Sequence, residues 1–139
     1  MKAIRPEFVE FAPPTLEPAV LYISNRFKTA LHLCACGCGE KVVTPLSPSK
    51  WQLVCDGSTV SLHPSIGNWD YACRSHYFIR RNQIVWSGQM TRADVARVQA
   101  RDSRDALAEI AARNTMKRQT IWQRVRIALS MLGKFFGRP

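Results

Sequence analysis

Short apolar stretches separated by polar or turn-forming residues fill the first two thirds of the chain and predict β-strands. Residues Ala19–Ser24 are rich in β-branched and aromatic side chains and follow a proline-marked segment, which predicts the first strand. The stretches Thr29–Leu33 and Lys41–Leu46 predict two more. The cysteine-rich segment Cys34–Cys38 therefore lies at the end of a predicted strand.

Two pairs of apolar stretches, each joined by a short polar link, predict β-hairpins. In the first pair the link is Asp56-Gly57, which favours a two-residue type I′ turn because both turn residues then need positive φ. Cys55 lies on this hairpin and is predicted to be a core residue. The predicted strands are Trp51–Cys55 and Ser58–Leu62 in the first hairpin, and His76–Ile79 and Gln83–Trp86, turning near Arg81 and Asn82, in the second.

From about residue 90 the pattern changes to helical spacing. Thr91 can cap a helix with Asp94 three residues later, and the stretch to Arg113 is rich in Ala, Arg, Asp and Glu, which predicts a mostly exposed helix. A second helix is predicted from Thr120 to about Phe136, because apolar residues there form one stripe. Packing of the stripe on the protein's own core or on a partner is favoured over contact with a membrane surface. The stripe consists of Trp122, Val125, Leu129, Leu132 and Phe136.

Length and composition are typical of one domain, or of one domain with an appendage. The chain has 139 residues, of which 46% are hydrophobic. Its first residues mix charged with apolar side chains, unlike a signal peptide, and no run reaches the ~20 apolar residues of a spanning helix. We therefore expect a cytoplasmic protein, in which clustered thiols stay reduced and bind metal.

The net charge of +10 is concentrated in the last third of the chain. Residues 1–89 carry nine Lys/Arg against six Asp/Glu, whereas residues 90–139 carry eleven against four. Such a tail attracts nucleic acid, anionic lipid or an acidic protein face, and a solvated helix face explains it equally well. Nucleic-acid binding ranks lowest, because the β region lacks an evident surface of aromatic and basic residues.

A cluster of potential metal ligands consists of Cys34, Cys36 and Cys38 at alternate positions, followed by Cys73 and His76. Thiols this close in sequence pair poorly with one another but converge readily on one zinc ion, which takes four tetrahedral N or S ligands. Five side chains are thus candidates for four positions. Either the four cysteines bind zinc and His76 stays free, or His76 replaces one of the clustered cysteines.

These patterns together predict an α+β fold in which a structural zinc ion staples a small domain rich in β-hairpins. The zinc-binding β-rich domain is predicted over residues 1–89, and a basic extension of C-terminal helices over residues 90–139. A staple of this kind compensates for the small core that a chain of this length can bury.

The segment Ser61–Trp69, between the two groups of cysteines, holds a second candidate site. Its proline, glycine and asparagine predict a rigid turn, which needs no catalytic explanation. If zinc takes four thiolates, however, His76 is free to act as a base towards Ser65, as nucleophilic serine chemistry requires. Asn68, or backbone N–H groups of the turn, would then stabilise an oxyanion, and His63 is another candidate base. From residue types alone, the structural explanation is favoured.

Taken together, the motifs resemble those of a family of small bacterial zinc-binding proteins. That family occurs in operons that encode ubiquitin-like proteins with their activating and conjugating enzymes, the Bub type. The resemblance covers roughly residues 16–88, and the helices after residue 90 do not match the family pattern. The motifs that carry it are Leu33–Glu40, Trp51, Ser61–Trp69, Cys73–Ile79 and Trp86.

The resemblance implies a peptidase that processes or removes the ubiquitin-like partner. It also implies zinc on the cysteine cluster with Cys73, and Ser65 with His76 as the candidate catalytic pair. The alternative is a non-catalytic zinc-binding adaptor of the conjugation machinery, in which His76 is a metal ligand. In both cases the expected partners are the ubiquitin-like protein and its activating and conjugating enzymes.

Overall fold

Residues 1–136 form eight strands and one long helix. The structure is a computed structural model that describes residues 1–136 and, within the helix, the side chains up to residue 127 and at residue 129. The α+β class predicted from the sequence is confirmed. In chain order the elements are β1 (Arg5–Phe8), β2 (Val20–Ser24), β3 (Thr29–Leu33), β4 (Lys41–Pro45), β5 (Gln52–Asp56), β6 (Thr59–Gly67), β7 (His76–Arg80), β8 (Gln83–Trp86) and α1 (Arg92–Phe136).

The strands form two four-stranded sheets. In the first, the order is β1-β2-β3-β4, with β1 parallel to β2 and the other neighbours antiparallel. In the second, the order is β5-β6-β7-β8 and every neighbouring pair is antiparallel. Antiparallel neighbours can be joined by tight turns, whereas the parallel pair β1–β2 needs the longer link over residues 9–19.

The hydrophobic core lies between the two sheets. Because side chains alternate along a strand, each sheet turns one face inwards, as Ala30 and Val42 do in the first sheet and Tyr77 and Ile79 in the second. One continuous cluster of buried residues contains members of both sheets, including Leu62. The two sheets therefore stabilise each other by burying apolar surface.

The outer face of the first sheet is covered by the link between β1 and β2. Leu16 in this link packs with Val20 and Tyr22 of β2, and all five residues of β2 are buried. A strand covered on both faces has a continuous apolar sequence, which explains why β2 was predicted correctly. β1 was missed, because its four residues, Arg5–Phe8, include two charged side chains and a proline.

Both predicted hairpins are present, but the first turns one residue later than predicted. β5 and β6 pair through Asp56 and Thr59, so Gly57 and Ser58 form the turn, and Gly57 has positive φ whereas Ser58 does not. The type I′ turn predicted at Asp56-Gly57 is therefore wrong. The core position predicted for Cys55 is also wrong, because β5 is an edge strand and the Cys55 side chain is exposed.

The segment Ser61–Trp69 is not the rigid turn that was predicted. Most of it belongs to β6, which continues to Gly67. Ile66 is buried, in agreement with the prediction. Pro64 is accommodated because the pairing of β6 with β7 is interrupted at this point, and a residue without an N–H donor is tolerated at a bulge.

A single helix, α1, occupies the region for which two helices were predicted. It begins as expected, since Asp94 N donates to Thr91 Oγ1 at 3.2 Å and Thr91 N donates to the Asp94 carboxylate at 3.3 Å, which forms a capping box. It then continues without a break to Phe136. The reason is that neither glycine nor proline occurs in residues 92–132, so nothing in this stretch interrupts the helical backbone.

The apolar stripe predicted on the second helix is exposed where its side chains are described. Trp122, Val125 and Leu129 are exposed by 63%, 40% and 63%. The side chains of Leu132 and Phe136 lie outside the described residues. Within residues 1–136, no helix combines the length and apolar character that crossing a membrane requires.

Two compact units divide the chain between Asp102 and Ser103, inside α1. The first unit, Met1–Asp102, contains both sheets and the first turns of α1. The second contains the rest of the helix. Every candidate catalytic or metal-binding residue lies in the first unit.

Candidate active site and cysteine cluster

Ser65 lies in a bulge of β6. The pairing of β6 with β7 passes from Leu62–Ile79 directly to Ile66–Tyr77, so three residues of β6 stand opposite the single residue Phe78. Bulges of this kind bend a strand and redirect its side chains, and they are common beside active sites. The Ser65 hydroxyl is thereby presented on the outer face of the second sheet, opposite the core.

His76, at the start of β7, faces Ser65 across this bulge. Its Nε2 lies 2.9 Å from Ser65 Oγ, and its Nδ1 lies 3.1 Å from the Gly88 carbonyl oxygen. Because a carbonyl oxygen can only accept, Nδ1 carries the proton and donates it to Gly88. In this tautomer Nε2 is free to accept the Ser65 proton, which is the arrangement of a nucleophile, a base and a group that orients the base.

The backbone just after β8 forms hydrogen bonds with both the backbone and the ring of His76. Ser87 N donates to the His76 carbonyl oxygen at 2.9 Å, and the next residue, Gly88, accepts from the His76 ring. The imidazole is therefore attached at two points to one short segment, which limits its rotation.

Trp69 packs against the His76 ring and fixes it from a second direction. The two ring centroids are 4.9 Å apart, with the planes tilted by 59°. The tryptophan lies close to the backbone of Gly67, where an added Cβ would stand 2.3 Å from the indole ring. Glycine at position 67 is thus required for the observed position of Trp69.

The bulge is also supported from β5. Trp51, immediately before that strand, directs its indole N–H at the Ser65 carbonyl oxygen, 3.4 Å away. The side chain of His63, the other candidate base, is exposed in the same bulge. Of the two histidines, the structure places His76 within hydrogen-bond distance of the Ser65 hydroxyl.

The four clustered cysteines come together in space. The sulfur atoms of Cys34, Cys36, Cys38 and Cys73 all lie within 4.8 Å of one another. Measured separations are 3.3 Å between Cys34 and Cys36, 3.9 Å between Cys34 and Cys73, and 3.7 Å between Cys38 and Cys73. Four thiolates around a tetrahedral zinc ion with bonds of about 2.3 Å would be about 3.8 Å apart, so the donor set fits such an ion.

Residues 8–87 match the model of a family described as the bacterial ubiquitination-like system serine protease (BubE). The match covers more than half of the chain. The chain belongs to the BubE family. Searches of curated proteins and of solved structures each find no match. The resemblance to a Bub-type family inferred from the sequence is therefore confirmed.

The segment that matches the BubE family contains both the bulge and the cysteine cluster. It includes Ser65, His76 and all four clustered cysteines, and it ends at residue 87, before Gly88 and before α1. The description of the family as a serine protease agrees with the presence of a serine–histidine pair in this chain.

A buried polar network links the cluster to the strands around it. The Asn68 amide nitrogen donates to Ser75 Oγ at 2.8 Å and to Cys34 Sγ at 3.5 Å. Ser75 Oγ also lies 3.1 Å from Cys34 Sγ and 3.5 Å from Cys73 Sγ, and its hydrogen bond lowers the pKa of the Cys73 thiol to about 7. The lowered pKa favours the thiolate at Cys73, which is the form that binds metal, whereas burial and the neighbouring cysteines raise the pKa of Cys36 to about 12. The structure thus directs the Asn68 amide at the cluster.

Tyr77 and His32 close the cluster on the core side. His32 Nε2 and the Tyr77 hydroxyl are 2.8 Å apart, and Ala35 N donates to the same hydroxyl at 3.5 Å. Burial lowers the pKa of His32 to about 4 and raises the pKa of Tyr77. Both side chains are therefore neutral near pH 7, as residues in a dry core should be.

Two positions of the candidate site carry no signal in the sequence. The carbonyl of Gly88 orients His76, but every residue has a carbonyl, so its residue type indicates nothing. Ser75 lies inside the Cys73–His76 string, and a serine in a loop of this kind does not by itself indicate a role beside the cluster. Trp69 was predicted to be a packing residue. In the structure it packs on the His76 ring, so it belongs to the candidate site.

Proposed function

We propose that this BubE-family chain is a peptidase that processes or deconjugates a bacterial ubiquitin-like protein. Ser65 is the nucleophile, His76 the base, and the Gly88 carbonyl the group that orients the base. The observation that carries the proposal is the chain of two hydrogen bonds from Ser65 Oγ to His76 and from His76 to Gly88 O. If the hydrogen bond between His76 and Ser65 served only the fold, the second hydrogen bond, from His76 to Gly88, would not be needed. That second bond sets the tautomer of His76.

The proposed reaction follows from this geometry. Ser65 Oγ attacks the carbonyl carbon at the end of the ubiquitin-like chain, and its proton passes to His76 Nε2. The imidazolium then donates that proton to the leaving amine as the C–N bond breaks, which leaves an ester on Ser65. Water, deprotonated by His76 Nε2, hydrolyses the ester and regenerates the serine hydroxyl.

In the same proposal the cysteine cluster binds Zn²⁺ as a scaffold. Four thiolates fill a tetrahedral coordination sphere and leave no open position for a substrate or a reactive water. Cys34, Cys36 and Cys38 follow β3 of the first sheet, whereas Cys73 precedes β7 of the second. The ion would thus join the two sheets. Its ligand in the second sheet's segment, Cys73, lies three residues before His76. Asn68 belongs to this scaffold, because both contacts of its amide nitrogen are made there.

The alternative, a non-catalytic zinc adaptor, would use His76 as a ligand. The arrangement favours the peptidase, because both ring nitrogens of His76 are engaged by Ser65 and Gly88, and the four cysteines suffice as ligands.

The deciding experiment is cleavage of a bacterial ubiquitin-like protein, fused at its C-terminus to a reporter, by the unchanged protein and by Ser65→Ala. We expect the variant to lose at least about 10³-fold in kcat/KM while keeping its zinc content and its melting temperature. Ser58→Ala, in the exposed turn before β6, is the matched control and should cleave normally. Undiminished cleavage by Ser65→Ala would overturn the proposal.

A further inference from the structure

The apolar stripe of α1 takes no part in the reaction proposed above. Trp122, Val125 and Leu129 are exposed members of it, and Ile121 borders them on the same side of the helix with 59% of its side chain exposed. A helix of a globular protein normally buries such a stripe against a core. Within the side chains that the structure describes, nothing covers this one, so it is available to a partner.

Positive charge borders the stripe on both sides. Val125 belongs to the stripe, and its two neighbours in the sequence are Arg124 and Arg126. Because successive residues of an α-helix are rotated by about 100°, one arginine lies on each side of the stripe. Both arginines are exposed.

No acidic residue offsets this charge in the last part of the chain. Glu109 is the last acidic residue, and residues 110–139 contain seven Lys or Arg but neither Asp nor Glu. Arg113 is paired with Glu109, and it is the only one of the seven with an ion pair among the described side chains. The seven are Arg113, Lys117, Arg118, Arg124, Arg126, Lys134 and Arg138.

This charge argues against a second copy of the chain as the partner of the stripe. Two helices laid stripe against stripe, in either direction, would bring Arg124 and Arg126 of one copy close to basic residues of the other. No carboxylate from residues 110–139 would lie between them. Paired helices normally place opposite charges at the positions that flank an apolar seam.

An anionic lipid surface suits both features of the stripe. Its headgroups carry the negative charge, and the boundary beneath them accepts apolar side chains. Nucleic acid would pair with the arginines but leave the apolar side chains in water. Trp122 adds to the preference for lipid, because tryptophan is enriched at the interface between membrane and water.

We propose that the part of α1 that carries the apolar stripe lies on the surface of an anionic lipid bilayer. The stripe enters the boundary between headgroups and acyl chains, and Arg124 and Arg126 pair with lipid phosphates on either side. The proposal concerns a different part of the chain from Ser65 and His76, so it does not depend on the proposed function.

Vesicle flotation with the full chain tests the proposal. The probes are vesicles of phosphatidylcholine mixed with phosphatidylglycerol, and vesicles of phosphatidylcholine alone. We expect binding to the anionic vesicles that weakens as salt is added, and binding to the neutral vesicles that is at least about tenfold weaker. Equal binding to both kinds of vesicle, or binding to neither, would overturn the proposal. Ser65→Ala should float as the unchanged chain does, which keeps this test separate from that of the peptidase.

The stripe is tested with two matched double variants. Val125→Gln combined with Leu129→Gln should weaken binding to the anionic vesicles at least about tenfold. Met116→Gln combined with Ile127→Gln should bind as before, because these side chains are exposed by 63% and 56% but lie on the opposite side of the helix. Glutamine is a good helix former, so circular dichroism should show unchanged helix content in both. Equal weakening in the two double variants would overturn the proposal.

The flanking charges and the alternative partner are tested in the same way. Arg124→Gln combined with Arg126→Gln should weaken flotation more than Arg92→Gln combined with Arg104→Gln, which removes two charges from the earlier part of α1. Equal effects would reject the pairing of the flanking arginines with lipid. Light scattering without lipid should show a monomer. A dimer that the Val125→Gln, Leu129→Gln variant abolishes would assign the stripe to a second copy and overturn the proposal.

Discussion

Ser65 and His76 meet because β6 carries two more residues than β7 between the pairs Leu62–Ile79 and Ile66–Tyr77. The extra length keeps Ile66 in the core while it redirects the serine hydroxyl, which ends 2.9 Å from His76 Nε2. An even insertion preserves the alternation of the strand, so the core is not disturbed. The bulge in this way brings a serine and a histidine into contact on one face of the second sheet.

The identity of the base can be tested by comparing two histidines. His76→Gln should lower kcat by about 10²- to 10⁴-fold, the usual contribution of a general base, with little change in melting temperature. His63→Gln should retain activity, because His63 is exposed and only His76 is within hydrogen-bond distance of the Ser65 hydroxyl. The measurement is kcat for the reporter fusion. A loss confined to His63→Gln would transfer the role of base to that residue.

Gly67 should be intolerant of a side chain even though its backbone conformation suits one. Gly67→Ala places a methyl group 2.3 Å from the Trp69 indole, so the indole must shift and its contact with His76 changes. We expect kcat to fall at least about tenfold, together with a changed environment of Trp69 in fluorescence.

A double-mutant cycle shows whether Gly67 acts through Trp69. Trp69→Ala alone should lower kcat, and adding Gly67→Ala should cost little more, because the ring that clashes is gone. Additive losses would show that Gly67 matters for another reason.

Metal removal should separate the cluster cysteine Cys73 from the exposed cysteine Cys55. Cys73→Ser, or treatment with a strong zinc chelator, should lower the melting temperature by about 10 °C or more and abolish cleavage. Cys55→Ser should change neither, because this side chain is exposed and lies outside the cluster. The measurements are zinc content, thermal denaturation and cleavage. Full zinc occupancy in Cys73→Ser would contradict the ligand set.

Ser75 should matter for stability through its hydrogen bonds. Ser75→Ala leaves the buried Asn68 amide without its 2.8 Å partner and removes a contact to Cys34 and to Cys73. An unsatisfied buried donor costs about 1–3 kcal/mol, which denaturant unfolding of the metal-bound protein would measure. Ser58→Ala, in a solvent-exposed turn, is the matched control.

The start of α1 should weaken in acid. The Thr91 hydroxyl, followed by Arg97, lowers the pKa of the exposed Asp94 carboxyl. A depressed carboxyl pKa stabilises the folded state above the ordinary value of about 3.9, and this contribution is lost as pH falls through the lowered pKa. The protection of the amides at residues 94 and 95 against exchange, relative to the unfolded chain at the same pH, should therefore fall at low pH, and Asp94→Asn should remove that dependence.

The sequence predicted well those features in which residue type alone sets the geometry. Three cysteines at alternate positions favour convergence on one point, and their sulfur atoms and that of Cys73 lie within 4.8 Å of one another. The apolar run of β2 and the turn between β7 and β8 also have direct physical causes. Such features could be predicted because each depends on neighbouring residues rather than on distant contacts.

Other features depend on distant contacts and could not be predicted locally. Pro64 and Gly67 have turn-like propensities, yet tertiary pairing draws both into β6. The pair Ser65–His76 was favoured only through the resemblance to a family, because no local pattern specifies a bulge. The break predicted between two helices was wrong, since polar residues alone do not end a helix that lacks glycine and proline.

The position of Cys73, three residues before His76 and in the same polar network as Asn68, has a practical consequence for enzymology. If the cluster holds zinc as proposed, a chelator that strips it would release the loop that leads into β7 and so displace His76, although no metal takes part in the proposed bond-making steps. Loss of activity on chelation is the usual sign of a metalloprotease. If this chain is a serine peptidase, chelation would still abolish its activity. Inhibitor profiling alone would then assign the enzyme to the wrong class of protease.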